Sequence, residues 1–221
     1  MTDSAPPLET LLNTDHEVLH GETQQVTPMV RRITANNPGK FTFRGTGTYI
    51  VGHGKVAIID PGPADDAHIQ ALLNAVRGEE VTHILITHTH RDHSPATRAV
   101  KEATGATVYG FGPHPSEDPT ASEIIPDEDQ TPEDNSEKSG DMDFHPDETI
   151  RHGDVISSDA KSGSAQHNIT ETAWTFQCLH TPGHISNHIC FALREEQALF
   201  NQSAAINLPP SFYCRSPPAS T

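Results

Sequence analysis

Apolar positions along this chain recur at first in twos, then in threes and fours, then in twos again. "GTGTYIVG" and "KVAIID" are short apolar, β-branched runs on either side of the His53-Gly54 turn, which predicts a strand pair. A weaker run before them, "VTPMVRRIT", predicts an edge strand. Asp60-Pro61-Gly62-Pro63 ends the second of the paired strands in a strong turn. In "ADDAHIQALLNAVR", Ile69, Leu72, Leu73 and Val76 stand at i, i+3, i+4 and i+7, the stripe of an amphipathic helix. Asp65 and Asp66 fall in its first turn, where the helix dipole favours acids. "VTHILIT" reads as a buried strand. Ser94-Pro95 predicts another helix start, with Ser as N-cap and Pro at the first helical position. Ala96, Ala99, Val100 and Ala103 form its narrow apolar stripe, and "ATVYGF" is the next strand. Strand–strand–helix–strand–helix–strand predicts the α/β class.

Residues 115–148 break the pattern. They are acidic and proline-rich, with almost no apolar period, and predict a solvated, flexible insertion. Short strands return in "ETIRHGDVI", "AWTFQCLH", "HICFAL" and "QALF". The last residues, 201–221, hold four prolines and clustered serines, and suit neither a closing helix nor a paired strand. The organisation read from the pattern is a polar segment 1–25, one domain over 26–200 carrying the insertion, and an irregular tail.

Composition narrows the function. Hydrophobic residues make up 33% and aromatic residues 5%, so part of the chain adds little to a core. A formal net charge of −16 excludes a general nucleic-acid-binding surface, but leaves a small molecule or a phosphodiester as substrate. Three cysteines, Cys178, Cys190 and Cys214, with no CxxC spacing, fit a reducing compartment. The polar, acidic start is not a signal peptide, and no apolar run approaches the roughly 18–20 residues that span a bilayer. The expectation is a cytoplasmic protein with no membrane partner.

The chemistry lies in "ILITHTHRDHSPA". Residues two apart in an extended segment project to one side, so His88 and His90 can address one ion from the strand end. After a turn at Arg91, Asp92 and His93 can address a second point close by. Imidazole nitrogen and carboxylate oxygen are ligands that zinc accepts. Two such points about 3.5–4 Å apart would make a two-metal hydrolytic centre. Far along the chain, Pro182-Gly183 in "CLHTPGHISNH" forms a tight turn that presents His184. His88, His90 and His184 together would leave a fourth position on a zinc open for water. His180 and His188, which flank that turn, read as supporting or surface histidines, and His53 and His83 as structural. Asp60 either caps its own turn or orients the ligands from behind; both readings stand.

HxHxDH, a preceding "IIDPG" and a later "HTPGH", in this order, resemble the metallo-β-lactamase superfamily over roughly residues 26–200. The form "THTHRDHSPA" looks most like the lactamase-beta-like-2 group, with glyoxalase II-like hydrolases as relatives. The resemblance implies a four-layer αββα sandwich with the site at the edge of its two sheets. It implies His88, His90 and His184 as ligands of a first zinc, and Asp92 and His93 as ligands of a second. Asp92 is also a candidate proton acceptor, and Asp60 a carboxylate behind the ligands. A metal-activated hydroxide would attack an ester, thioester, lactam or phosphodiester.

Two departures bear on activity. The family places a metal-bridging Asp after the strand matching "ALF", where this chain has Asn201-Gln202-Ser203-Ala204, and no Asp follows Asp159. No His follows His188, although the family uses a later one for the second metal. The expectation is a truncated or frameshifted form of a longer hydrolase, its second half incomplete, binding one or two zincs with a weak second site and impaired turnover. The competing expectations are a non-catalytic metal-binding remnant and an acidic interaction protein working through residues 115–148.

Overall fold

The computed structural model describes residues 18–113, 140–141, 143–158, 173–183, 185–201 and 204–207. Seven strands form a first sheet in the order β1-β2-β3-β4-β5-β6-β7. They are β1 (Thr23–Thr27), β2 (Val30–Thr34), β3 (Gly47–Val51), β4 (Lys55–Ile59), β5 (Glu80–Leu85), β6 (Thr107–Gly110) and β7 (Glu148–Thr149). Helix α1 (Asp66–Ala75) connects β4 to β5, and α2 (Thr97–Thr104) connects β5 to β6. A second sheet runs in the order β12-β11-β10-β9-β8. Its strands are β8 (Val155–Ser157), β9 (Thr175–His180), β10 (Ile189–Leu193), β11 (Ala198–Asn201) and β12 (Ala204–Asn207).

The apolar runs that predicted strands divide by twos between two cores. Tyr49, Val51, Ala57, Ile59 and Leu85 face the second sheet, where they meet Trp174, Phe176, Phe191, Leu193 and Phe200. Their neighbours Ile50, Val56, Ile58 and Ile84 face Leu72 and Val76 on the α1 side and Val100 of α2. Strands buried on both faces read as continuous apolar runs, because neither side of the pleat meets water. The arrangement is the α/β sandwich expected from the sequence; among the described residues its layers are helices, sheet, sheet, and the second helical layer of the expected αββα order is not among them.

Trp174 is the largest fully buried side chain between the sheets. Its indole Nε1 donates to Lys55 O at 3.1 Å, so the ring's polar edge is satisfied inside the core. Gly52 makes room for it. At φ +94° a side chain there is strained, and a Cβ would stand 2.6 Å from Trp174 Cδ1.

Several expectations are corrected. "VTPMVRRIT" is not one strand; Pro28 and Met29 turn the chain, and β1 pairs antiparallel with β2. Proline cannot donate to a ladder, so the break falls where the sequence offers it. Ser94 does not cap α2, which begins at Thr97 after Ala96, with no side-chain cap. Ser94 Oγ instead donates to Asp141 Oδ2 at 2.9 Å. The predicted α2 stripe ends early, since Ala103 is exposed. The tail does supply a paired strand: β12 lies antiparallel to β11, from Ala198↔Asn207 to Asn201↔Ala204. Residues 115–139 lie outside the described residues. Near the end of that acidic stretch, Phe144 packs in the helix-side core at 5% exposure and β7 extends the first sheet.

Candidate metal centre

β4, β5 and β6 pair in parallel, with α1 and α2 as the crossovers. Ligand sites in such sheets gather at the carboxyl ends of the parallel strands. Asp60 follows β4 and His88 to His93 follow β5, so both arrive at that edge.

Asp60 is fully buried and has φ +49°, a left-handed backbone rare outside glycine. Its N–H donates to Leu85 O at 2.9 Å and its carbonyl accepts from Thr48 Oγ1 at 2.7 Å, which hold the strained turn. The carboxylate accepts from Thr87 N at 2.8 Å and from Thr87 Oγ1 at 2.6 Å. His93 Nδ1 lies 2.9 Å from the same Oδ2. Of the two sequence readings of Asp60, the geometry has the carboxylate turned toward the histidines.

These contacts fix which ring nitrogens are left to bind. The Thr87 hydroxyl has one hydrogen and gives it to Asp60, so His88 Nδ1, 2.9 Å from Thr87 Oγ1, must be the donor. That leaves the lone pair of His88 on Nε2. Likewise His93 gives its Nδ1–H to Asp60 and keeps Nε2 for a ligand. His88 Nε2 is 3.1 Å from His90 Nδ1, and His93 Nε2 is 3.2 Å from Asp92 Oδ2. Two donors each about 2.0–2.1 Å from one tetrahedral zinc stand roughly 3.3 Å apart. Both pairs therefore have the chemistry and spacing of a metal-binding pair. Ligand atoms of Asp60, His88 and His93 all lie within 4.8 Å of one another.

The second pair is also strongly charged. Burial alone would lower the pKa of His93, but Asp60 and Asp92 outweigh it and raise it to about 10. Burial would raise Asp92; the hydrogen bond and charge of His93 and the Thr46 hydroxyl hold it down at about 2. Thr46 Oγ1 donates to Asp92 Oδ2 at 2.7 Å. Without metal, this is an imidazolium–carboxylate pair.

The second sheet is fastened to the ligand strand. Ile189 N donates to Thr87 O at 2.8 Å. Asn187, 2% exposed, donates from Nδ2 to Thr89 Oγ1 at 2.9 Å and to Gly112 O at 3.0 Å. His188 is buried, with its ring centroid 5.4 Å from that of His88 and its Nδ1 2.7 Å from Thr181 Oγ1. His180 stacks on Phe111 at 4.1 Å. His83 lies between Tyr109 and Trp174, and His53 Nε2 meets Pro28 O in the turn region. His184 lies outside the described residues. Cys178 and Cys190 are free and buried. Burial, with the charge of Asp154, pushes the Cys178 thiol up to about 12, which removes it as a nucleophile near neutral pH. No helix among the described residues is long and apolar enough to cross a membrane.

Sequence reasoning missed Thr46, Thr87 and Asn187. Nothing in their spacing marks them, because each acts through a hydrogen bond that only the folded chain creates. Asp60→Asn tests the arrangement at its centre. An amide turns a donor toward Thr87 Oγ1 or His93 Nδ1, and the expected result is a loss of about 10–100-fold in zinc affinity. Competition with a chromophoric chelator measures it; unchanged affinity would show that Asp60 does not orient the ligands.

A family model described as the metallo-beta-lactamase superfamily matches residues 42–200. An "atrochrysone carboxyl ACP thioesterase" of Claviceps purpurea is 31% identical over 182 residues, covering 81% of this chain and 46% of that protein. A "lactamase-like protein" of Aspergillus niger is 31% identical over 185 residues, covering 81% and 45%. The chain thus spans under half the length of these curated relatives. A subclass B3 metallo-beta-lactamase of Bradyrhizobium japonicum superimposes with TM-score 0.52 at 13% identity, over 85% of this chain and 61% of that one. A beta-lactamase domain protein from Burkholderia ambifaria gives TM-score 0.54 at 17% identity, over 85% and 57%. At such identities the two structures show a shared fold.

Proposed function

The chain belongs to the metallo-β-lactamase superfamily, and on that footing we propose that it is a zinc-dependent hydrolase acting on thioesters. The observation that carries the reading is the convergence of four donor atoms in two pairs, with the opposite nitrogens of His88 and His93 already hydrogen-bonded. The thioester is favoured by the printed name of the Claviceps relative.

His88 and His90 would hold one ion, with His184 as a third ligand from the Pro182-Gly183 turn. Asp92 and His93 would hold another. When bound, zinc supplies Lewis acidity toward a carbonyl and acidifies water. The chain's own part is to present lone pairs at fixed positions. Asp60 and Thr87 set the tautomers of His88 and His93, and Thr46 aims Asp92. The low pKa of Asp92 suits a metal ligand and ill suits a proton acceptor near pH 7. In the overall reaction water adds to the acyl carbon, the C–S bond breaks, and the thiol leaves with a proton.

Metal counting and turnover test this. The expected result is one to two zincs per chain, and hydrolysis of an acyl thioester that a chelator removes and zinc restores. Turnover indifferent to chelator would overturn the metal; faster cleavage of bis-p-nitrophenyl phosphate would overturn the thioester.

A second reading, metal binding without turnover, is favoured by Asn201. It ends β11 beside the start of β10, at the edge where Ile189 meets Thr87. Its Oδ1 is buried without a hydrogen-bond partner among the described residues. A neutral amide here leaves two cations less well compensated than a carboxylate would. Asn201→Asp is expected to tighten the second zinc by about tenfold, each tenfold being about 1.4 kcal/mol. A zinc titration in which both sites keep their affinities counts against Asn201 lying at the centre.

A further inference from the structure

Between Glu22 and Asp60 the chain carries Arg31, Arg32, Lys40, Arg44 and Lys55 and no acidic residue, although its net charge is −16. Two of these cations sit on the loop between β2 and β3, beside its two exposed aromatic rings. Phe41 is 47% and Phe43 67% exposed. Lys40 Nζ stands 5.7 Å from the Phe41 ring centre, and the Arg44 guanidinium 5.5 Å from that of Phe43. Among the described residues Phe41 and Phe43 are the two aromatic members of the exposed large hydrophobic side chains, and they lie two residues apart.

The loop is built rather than slack. Asn37 Oδ1 accepts from Thr46 N at 2.9 Å, Asn37 Nδ2 donates to Thr46 Oγ1 at 3.1 Å, and Gly45 N donates to Thr42 O at 2.9 Å. Phe43 is held at φ +54°, a strained backbone for a non-glycine residue. The base of the loop is tied to the candidate centre, since Thr46 Oγ1 donates to Asp92 Oδ2. Three residues of chain reach at most about 11 Å, which keeps Phe43 within one substrate length of Asp92.

We propose that this loop is the substrate-recognition element. Phe41 and Phe43 cover an apolar acyl group, and Lys40 and Arg44 bind phosphate on the thiol side of the same thioester. The proposal rests on the thioesterase reading above. A thioester joining an apolar acyl chain to a phosphate-bearing thiol matches both halves of the loop, and the anion is drawn to a stretch that carries five cations and no acid. The link to Asp92 favours a small molecule entering the centre over a lipid surface.

Calorimetry on the zinc-loaded chain tests this without turnover, using S-decyl coenzyme A and the S-decyl thioether of N-acetylcysteamine, which lacks phosphate. The wild-type chain is expected to bind the first more tightly. Lys40→Ala/Arg44→Ala should cut that preference by about tenfold, and high salt should do the same. Phe41→Ala/Phe43→Ala should weaken both thioethers by about tenfold or more. Equal wild-type affinities, or variants that bind as wild type does, overturn the proposal. So does binding to phosphatidylserine vesicles that both variants lose while thioether affinity stays. If the thioethers bind as expected but no thioester is cleaved, the loop assignment stands and the hydrolase reading fails. If thioesters are cleaved and the variants change nothing, the reverse holds.

Discussion

His88→Ala is expected to leave a folded chain with well under one zinc bound at the proposed first site, and hydrolysis is expected to fall by more than ~100-fold. That figure is the upper end of what loss of a supporting residue costs, and His88 is proposed as a ligand rather than a support. The argument is local. Thr87 Oγ1 fixes His88 Nδ1 as donor, so Nε2 points its lone pair at the place His90 Nδ1 also faces, 3.1 Å away. Alanine removes one of the two described donors of that pair. The Thr87–Asp60–His93 bonds do not pass through the His88 ring, so the strand ends stay in place. Metal analysis and thioester turnover, with circular dichroism for the fold, measure the effect. His53→Ala is the matched control: it removes a histidine from the strand turn and should change zinc content by less than twofold. Equal zinc content in His88→Ala and wild type would remove His88 from the centre.

Trp174→Ala is the most damaging change to the fold, with an expected loss of about 3–5 kcal/mol. Whole domains hold only about 5–15 kcal/mol, so much of the stability goes with one side chain. Trp174 is fully buried, packs against Phe176 and His83, and spans from the second sheet to the Lys55 carbonyl of the first. Trp174→Phe keeps most of the apolar volume but removes the indole N–H that donates to the Lys55 carbonyl, and should cost about 1–3 kcal/mol. Urea unfolding followed by circular dichroism ranks the three. The order wild type, Phe, Ala is expected; an Ala variant as stable as wild type would mean that the two sheets do not depend on this contact.

How much of this was legible from the residues follows from what each feature depends on. α1 was legible because its stripe and its acids are local: Asp65 Oδ1 accepts from His68 N as an N-cap should. β3, β4 and β5 were legible because runs buried on both faces stand out in composition. His88, His90, Asp92 and His93 stood out as candidates because ligand types crowd at the end of β5, whereas Asp60, at the end of β4, read equally as a turn cap. The start of α2 was not, since Ser94 exchanged a local capping bond for Asp141, 47 residues away. β12 was not, because its pairing with β11 overrides a sequence without period. Thr46 and Asn187 were hidden for the same reason, their partners lying 46 and 98 residues off.

The bonds at the centre also close loops of very different length. Asp60 reaches Thr87 and His93 across 27 and 33 residues, whereas Asn187 reaches Thr89 across 98. Loop-closure entropy grows with the logarithm of loop length, so the long clasp costs about 1 kcal/mol more than the short one. The carboxylate with Thr87 and His93 is therefore the cheaper assembly to close, on a segment complete once β5 has paired with β4. One side of the centre thus depends on a short piece of chain, and its tie to the second sheet on a piece more than three times as long as the Asp60–Thr87 loop.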